Sequence, residues 1–194
     1  MDYGIHREIL DDVGEWLRFA EAKNAALAAM CGLTVWGATR VMLLATQSPT
    51  SGATWFSAMP IQYWYSLMAF ALAALTSALI SFMPVLKVPA IVPRRKKEAR
   101  SVPNVLYFGD LAPMRRAELA KVLADLSRGD GETAVTELDH QFAAQIIINS
   151  RIALRKYGFF DLSVALLLCA LLTPIVALAL VILARISNDN LWRM

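Results

Sequence analysis

Charge is what this chain lacks over long stretches. No Asp, Glu, Lys or Arg occurs from residue 41 to 86, and none from 162 to 184. Charged residues make up 18 % of a chain that is 57 % hydrophobic, a balance that excludes an ordinary soluble globule. Cysteine is also scarce. Cys31 and Cys169 both fall in apolar segments, so neither a disulfide nor a thiolate metal site is expected. The two histidines, His6 and His140, have no partner at ligand spacing, and no zinc or haem is expected. There is no glycine-rich phosphate loop, no HExxH, no GxSxG, and no carboxylate pair beside a nucleophile. These absences point away from an enzyme and toward a sensor or effector without a cofactor. The first 23 residues carry six acids and three bases, with no apolar stretch behind a basic start, so they do not read as a cleaved signal peptide.

The uncharged runs give the architecture. A helix needs about 20 apolar residues to cross a bilayer core. The run at 162–184 fits one crossing. The run at 41–86 is too long for one and is broken by Ser48-Pro49-Thr50-Ser51-Gly52. Three spans follow: residues 24–46, 61–86 and 159–186. The expected fold class is an all-α membrane protein, with three transmembrane helices and a small, mainly helical domain between the second and third. Ahead of the first span, residues 1–23 form an amphipathic helix whose stripe is Ile5, Ile9, Val13, Trp16, Leu17 and Ala20. Its polar face is acidic, which favours packing on protein over lying on lipid. Within the spans, Arg40 is the oddity, roughly 9 Å from the outer end of the first. It either snorkels to the interface or faces a bundle interior or pore. In the second span, Ala69, Ala73, Ser77 and Ser81 recur four apart, a spacing of small residues that lets helices approach. Pro174, near the middle of the third, is expected to kink it.

Orientation follows from the bases. Residues 47–60 hold no Lys or Arg, whereas residues 87–158 hold thirteen. The positive-inside rule places 87–158 in the cytoplasm with the N-terminus, and 47–60 and the tail 187–194 outside. Within 87–158, Arg94, Arg95, Lys96 and Lys97 follow a proline-marked end of the second span. They read either as an anchor on anionic lipid heads or as a site for an anionic ligand. Asn104-Val105-Leu106-Tyr107-Phe108-Gly109-Asp110 reads as a short extended segment ending in a turn, after which Pro113 sits in the first turn of a helix with Asp110 near its cap. Leu119, Val122, Leu123 and Leu126 give that helix an apolar face.

A long helix is expected from about residue 132 into the third span. Leu138, Phe142, Gln145, Asn149, Ile152 and Lys156 recur at alternating four- and three-residue steps, the spacing of a coiled-coil stripe. That stripe begins apolar and turns polar at Gln145 and Asn149. Three readings stand: a register-setting pair in an oligomer, a bonding edge for a bound base or other polar ligand, or a stripe that turns to water. Arg151 and Arg155, with the first-turn amides near Asp110, suit a phosphate; the same residues also read as ordinary juxtamembrane bases.

Three stretches together resemble a known family. They are Phe19-Ala20-Glu21-Ala22-Lys23 leading into an Ala-rich span, the segment Asn104 to Asp110 quoted above, and Gln145 through Tyr157, with Asn149-Ser150-Arg151-Ile152-Ala153-Leu154-Arg155-Lys156-Tyr157 before the last span. In this order they are similar to the Pycsar membrane effectors, the transmembrane effectors of bacterial pyrimidine cyclase systems for antiphage resistance. The resemblance implies an effector that senses cUMP or cCMP from a partner cyclase and impairs the inner membrane, causing abortive infection. It also implies a homo-oligomer in contact with membrane lipid, with no nucleic-acid polymer as partner. On this reading the phosphate lies near Arg151, Arg155 and the Gly109-Asp110 turn, and the base near Gln145 and Asn149. The alternative is a membrane anchor or assembly subunit that docks a cytoplasmic protein.

Overall fold

The computed structural model describes residues 3–47, 61–83, 104–128 and 134–191. Five helices are found among them: α1 (Gly4–Gln47), α2 (Ile61–Ser81), α3 (Phe108–Leu111), α4 (Arg116–Arg128) and α5 (Glu137–Leu191). No strand occurs among the described residues. Three of the helices, α1, α2 and α5, are long and apolar enough to cross a membrane. The chain is thus an all-α membrane protein, with a small helical segment between its second and third spans. The turn at 48–52, the rest of the loop to residue 60, Pro84, Pro89, Pro93, Arg94, Arg95, Lys96, Lys97 and Arg193 lie outside the described residues.

The long helices form because nothing interrupts them. From residue 4 to 47 there is no proline, and the amphipathic segment passes into the apolar span as one helix. α2 ends at Ser81, short of the expected 86. The residue before a proline is pushed out of the helical region, so Pro84 makes Met83 a poor continuation. α5 begins at Glu137 and continues through position 174. Its start is set by a capping box. Thr136 Oγ1 accepts from the Asp139 amide at 3.3 Å, and Asp139 Oδ2 accepts from the Thr136 amide at 2.7 Å. Each side chain satisfies a backbone donor that the first turn leaves without a partner.

Two compact units divide the chain: Met1–Asn24 with Ser81–Phe159, and Ala25–Ile80 with Phe160–Met194. The core of the first joins Ile9 and Val13 of α1 to Leu111, Met114, Leu119, Leu123, Ala143, Ile146 and Ile147. The N-terminal amphipathic helix therefore packs on protein, as its acidic face suggests. Val13, Leu111, Leu119, Leu123 and Ile146 are each fully enclosed, worth about 1.5–3 kcal/mol apiece over exposure. Leu126 of α4, expected in that face, is instead exposed. In the second unit Leu27, Cys31, Ala74 and Leu167 form one cluster, and Ala38, Tyr63 and Leu67 another. Arg40 lies on the exposed side of α1, its guanidinium 5.8 Å from the Trp36 ring.

Two stripes sit differently from their expected positions. On α2 the buried residues are Tyr63, Leu67, Ala71, Ala74, Ser77, Ala78 and Ser81, so Ser77 and Ser81 of the expected ladder are enclosed while Ala69 and Ala73 are exposed. A strict four-residue step gains about 40° per step on a 3.6-residue helix, so a four-apart ladder winds off any fixed face. On α5 the buried line is Asp139, Ala143, Ile146, Ser150 and Ala153. It has the expected four-three rhythm but lies one residue along. That places Gln145, which is exposed, and Asn149 about 100° off the buried line.

Candidate functional site

The segment Asn104 to Asp110 builds the wall of the candidate site. It is held by its own side chains. Asn104 Oδ1 accepts from the Leu106 amide at 3.0 Å, and Asp110 Oδ2 accepts from the Asn104 amide at 3.2 Å. The Asp110 and Leu111 amides donate to the Tyr107 carbonyl, closing α3. These bonds make a one-turn helix of what the sequence presents as an extended segment. Pro113 consequently falls between α3 and α4 rather than in the first turn of α4. At Gly109 any Cβ would run into the Tyr107 ring. Glycine is needed here for room, so that Tyr107 can fold back over the backbone. Phe108 points inward, stacked on Tyr157 of α5 with centroids 5.1 Å apart and flanked by Trp16 at 5.8 Å. The Tyr157 hydroxyl is buried without a partner among the described residues. That burial, with a smaller contribution from Tyr107, raises its pKa.

Arg151 reaches this wall. Its Nε donates to the Ala112 carbonyl at the end of α3, at 2.9 Å. One turn on, the Arg155 guanidinium lies 5.3 Å from the centre of the Phe159 ring. Both arginines are half-buried, an environment that strengthens a charge-assisted bond to an anion. The structure thus brings Arg151 to the α3 segment that carries Gly109 and Asp110. Gln145 and Asn149 are elsewhere. Gln145 Nε2 donates to Asn149 Oδ1 at 3.3 Å, and the pair lies on another face of α5. At 100° per residue, Arg151 is about 160° around the helix from Asn149, and Arg155 about 120°. The two sets therefore lie on different faces of α5. The cause is a mixing of faces: residues within ten positions on a helix are near in sequence but not in direction.

Beside this wall a cleft of about 530 Å³ is lined by Asp12, Glu15, Trp16, Phe19 and Leu106. Its two carboxylates do not suit an anion. Among the described residues no group of His, Cys, Asp and Glu is arranged to hold a metal.

Sequence reading passed over three polar contacts that tie α1 to α5 in this unit. His6 Nε2 and Asp139 Oδ1 lie 3.0 Å apart with both side chains fully buried, the imidazole against the rings of Tyr3 and Phe142, which stack on each other. Glu21 pairs with Lys156. Asn24, fully buried, donates from Nδ2 to Ser81 Oγ at 2.9 Å and to the Lys156 carbonyl at 3.3 Å. Its Oδ1 has no partner among the described residues. A signal was available: positions 6, 9, 13, 20 and 24 all fall on the apolar stripe of α1. The Thr136-x-x-Asp139 spacing was also legible as a helix start.

The chain matches the Pycsar effector protein domain over residues 5–183. It is 30 % identical over 154 residues to the Pycsar effector protein RsPycTM of a Rhizobium species, covering 79 % of this chain and 81 % of that one. No solved structure matches. With the matched region running through both units and taking in α1, α2, α3, α4 and most of α5, the chain belongs to the Pycsar effector family.

Proposed function

We propose that the chain senses a cyclic pyrimidine mononucleotide, cUMP or cCMP, made by a cognate cyclase. On binding it impairs the inner membrane, so that the infected cell stops growing before phage mature. The family match across residues 5–183 carries this reading. The chain does no chemistry in it; it converts binding into a change in the bilayer. The anionic phosphate is met by Arg151, whose terminal nitrogens make no bond among the described residues, and by Arg155 one turn away. Each charge-assisted bond of this kind contributes about 1.5–3 kcal/mol. The α3 segment with Gly109 and Asp110 forms the adjoining wall. Gln145 and Asn149 face elsewhere and meet a second copy of the chain in a homo-oligomer. The ligand acts only through tighter binding to one of two packings.

The N-terminus is cytoplasmic and the protein is multi-pass. The excess of bases between the second and third spans supports this orientation. The grouping of Met1–Asn24 with Ser81–Phe159 in one unit supports it too, since it puts the N-terminal helix and the basic segment on one side.

The test is dye release from liposomes holding the purified protein, titrated with cUMP, cCMP and cAMP. Release by a pyrimidine nucleotide alone is expected. Release indifferent to all three refutes gating. Arg151→Ala and Arg155→Ala are expected to weaken nucleotide binding at least about tenfold, the loss of one charged bond. Unchanged binding in both removes the site but leaves gating intact.

A further inference from the structure

One side chain of the first unit ties three helices together. Asn24 of α1 is fully buried. Its Nδ2 donates to Ser81 Oγ, at the end of α2, at 2.9 Å and to the Lys156 carbonyl of α5 at 3.3 Å. A carbonyl only accepts, so the NH2 end of the amide faces both partners, with one hydrogen for each. Glu21, three residues before Asn24, pairs with the side chain of Lys156. α1 thus holds both the backbone and the ammonium of that residue.

The placement of this clasp distinguishes it from ordinary packing. The chain passes between the two compact units three times: after Asn24, before Ser81 and after Phe159. Each passage lies within one turn of a clasp residue. α1, α2 and α5 are the three helices long and apolar enough to cross a membrane, so one amide holds all three where they leave the first unit. The arrangement also costs stability. Asn24 Oδ1 is buried with no partner among the described residues, and an unbonded buried acceptor is destabilising. An apolar side chain would continue the buried line of Ile9, Val13 and Ala20 without that cost. A polar group held against such a cost calls for a role beyond packing. Within the second unit the spans are packed: Leu27 of α1, Ala74 of α2 and Leu167 of α5 share one cluster. Helices packed side chain to side chain leave no path for solute, so a leak requires them to rearrange.

We infer that Asn24 is a positioning residue for membrane impairment: its amide holds α1, α2 and α5 in the packed arrangement, and its release lets the spans rearrange. The inference rests on the proposed reading that the protein impairs the membrane, and adds the contact that restrains it. Lys156 follows Arg155 directly, so the clasp grips the helix that carries the proposed phosphate contacts.

The test is dye release without nucleotide from liposomes holding the full-length protein. Asn24→Leu removes both bonds and keeps the volume filled. One interhelical bond of this kind shifts an equilibrium between two packings by about threefold, and by at most about eighteenfold. Nucleotide-free release should therefore rise at least about threefold, with nucleotide binding unchanged. Ser81→Ala removes a single bond and should raise release by less; it carries the test if Asn24→Leu does not insert. Val13→Ala loosens the core of the first unit without touching the clasp and should leave release at the natural level. Natural-level release in inserted Asn24→Leu and Ser81→Ala overturns the inference, and so does an equal rise in Val13→Ala. The response of the natural protein to nucleotide decides the proposed function separately. Its absence, together with a leak in Asn24→Leu, refutes sensing and leaves the clasp standing.

Discussion

The buried His6–Asp139 pair supports a quantitative prediction. Asp139 bonds to His6 at 3.0 Å, to the Thr136 amide at 2.7 Å and to the Thr136 hydroxyl at 2.8 Å. Asp139→Ala removes all three. Leaving the fully buried imidazole without its partner costs about 1–3 kcal/mol. His6 is the partner left, and its Nδ1 already has none among the described residues. Loss of the cap adds about 1 kcal/mol. His6→Phe is milder, because a phenyl ring can keep the ring contacts to Tyr3 and Phe142 and the Thr136 bonds still hold Asp139. The double variant should then be less damaged than the sum of the singles, by about 1–3 kcal/mol of coupling. The assay is thermal unfolding of the detergent-solubilised protein, followed by protection of amides in residues 104–158. At about 4–8 °C per kcal/mol for a unit of this size, Asp139→Ala should lower the midpoint by about 8 °C or more. A drop under about 2 °C, or strict additivity in the double variant, refutes the assignment of the pair as a main fastening of the unit.

Other substitutions test separate parts of the argument. Gly109→Ala forces the far end of the exposed Tyr107 ring off the backbone and should cost up to about 1 kcal/mol, read as a lower unfolding midpoint; Gly109→Ala with Tyr107→Ala should recover part of it. Tyr157→Phe keeps the stack on Phe108 and removes a buried hydroxyl without a partner among the described residues, so stability should hold or rise by up to about 1 kcal/mol. The raised pKa of Tyr157 means that the folded state favours the protonated phenol. Its contribution is full below the ordinary tyrosine pKa and is lost as pH rises through the folded value, so Tyr157→Phe should flatten the alkaline limb of a stability–pH curve. Asn24→Leu exchanges two hydrogen bonds for relief of a buried, unpaired acceptor and should stay within about 1.5 kcal/mol of the parent. Asn24→Asp buries a carboxylate near Glu21 and should cost several times more. Equal midpoints for these two Asn24 variants would contradict the burial of that side chain.

The three spans were legible because hydropathy is a property of each segment alone. Absence of charge from 162 to 184 needs no partner to be read. The packing of α1 on the inter-span segment was legible from the acidity of its outer face. Direction around a helix was less accessible. The four-three rhythm of α5 was correct but offset by one residue, which takes Gln145 and Asn149 off the buried line; their angle to Arg151 and Arg155 follows from 100° per residue alone. Partnership over distance could not be read at all. His6 and Asp139 are 133 positions apart, and nothing local to either names the other. The Asn104–Asp110 segment shows a related limit. Its residues look like ligand-binding chemistry, yet Asn104, Gly109 and Asp110 are occupied in shaping a single turn.

The α1–α5 fastenings have one more property. They join residues separated by 133, 135 and 132 positions. The two helices therefore run parallel in this unit and in nearly constant register. At a synthesis rate of about 5–20 residues per second, the partners of α1 leave the ribosome about 7–27 s after it does. Through that interval His6 waits on an apolar stripe without Asp139, Asn24 has Ser81 but lacks the Lys156 carbonyl, and Ile9 and Val13 lack the α5 side of their core. A chain that stops before Asp139 would hold its first two spans and lack every one of these α1–α5 contacts. Completion of the last helix is thus the event that closes the unit. A nascent copy stays open, whatever ligand is present, until its final third has been made.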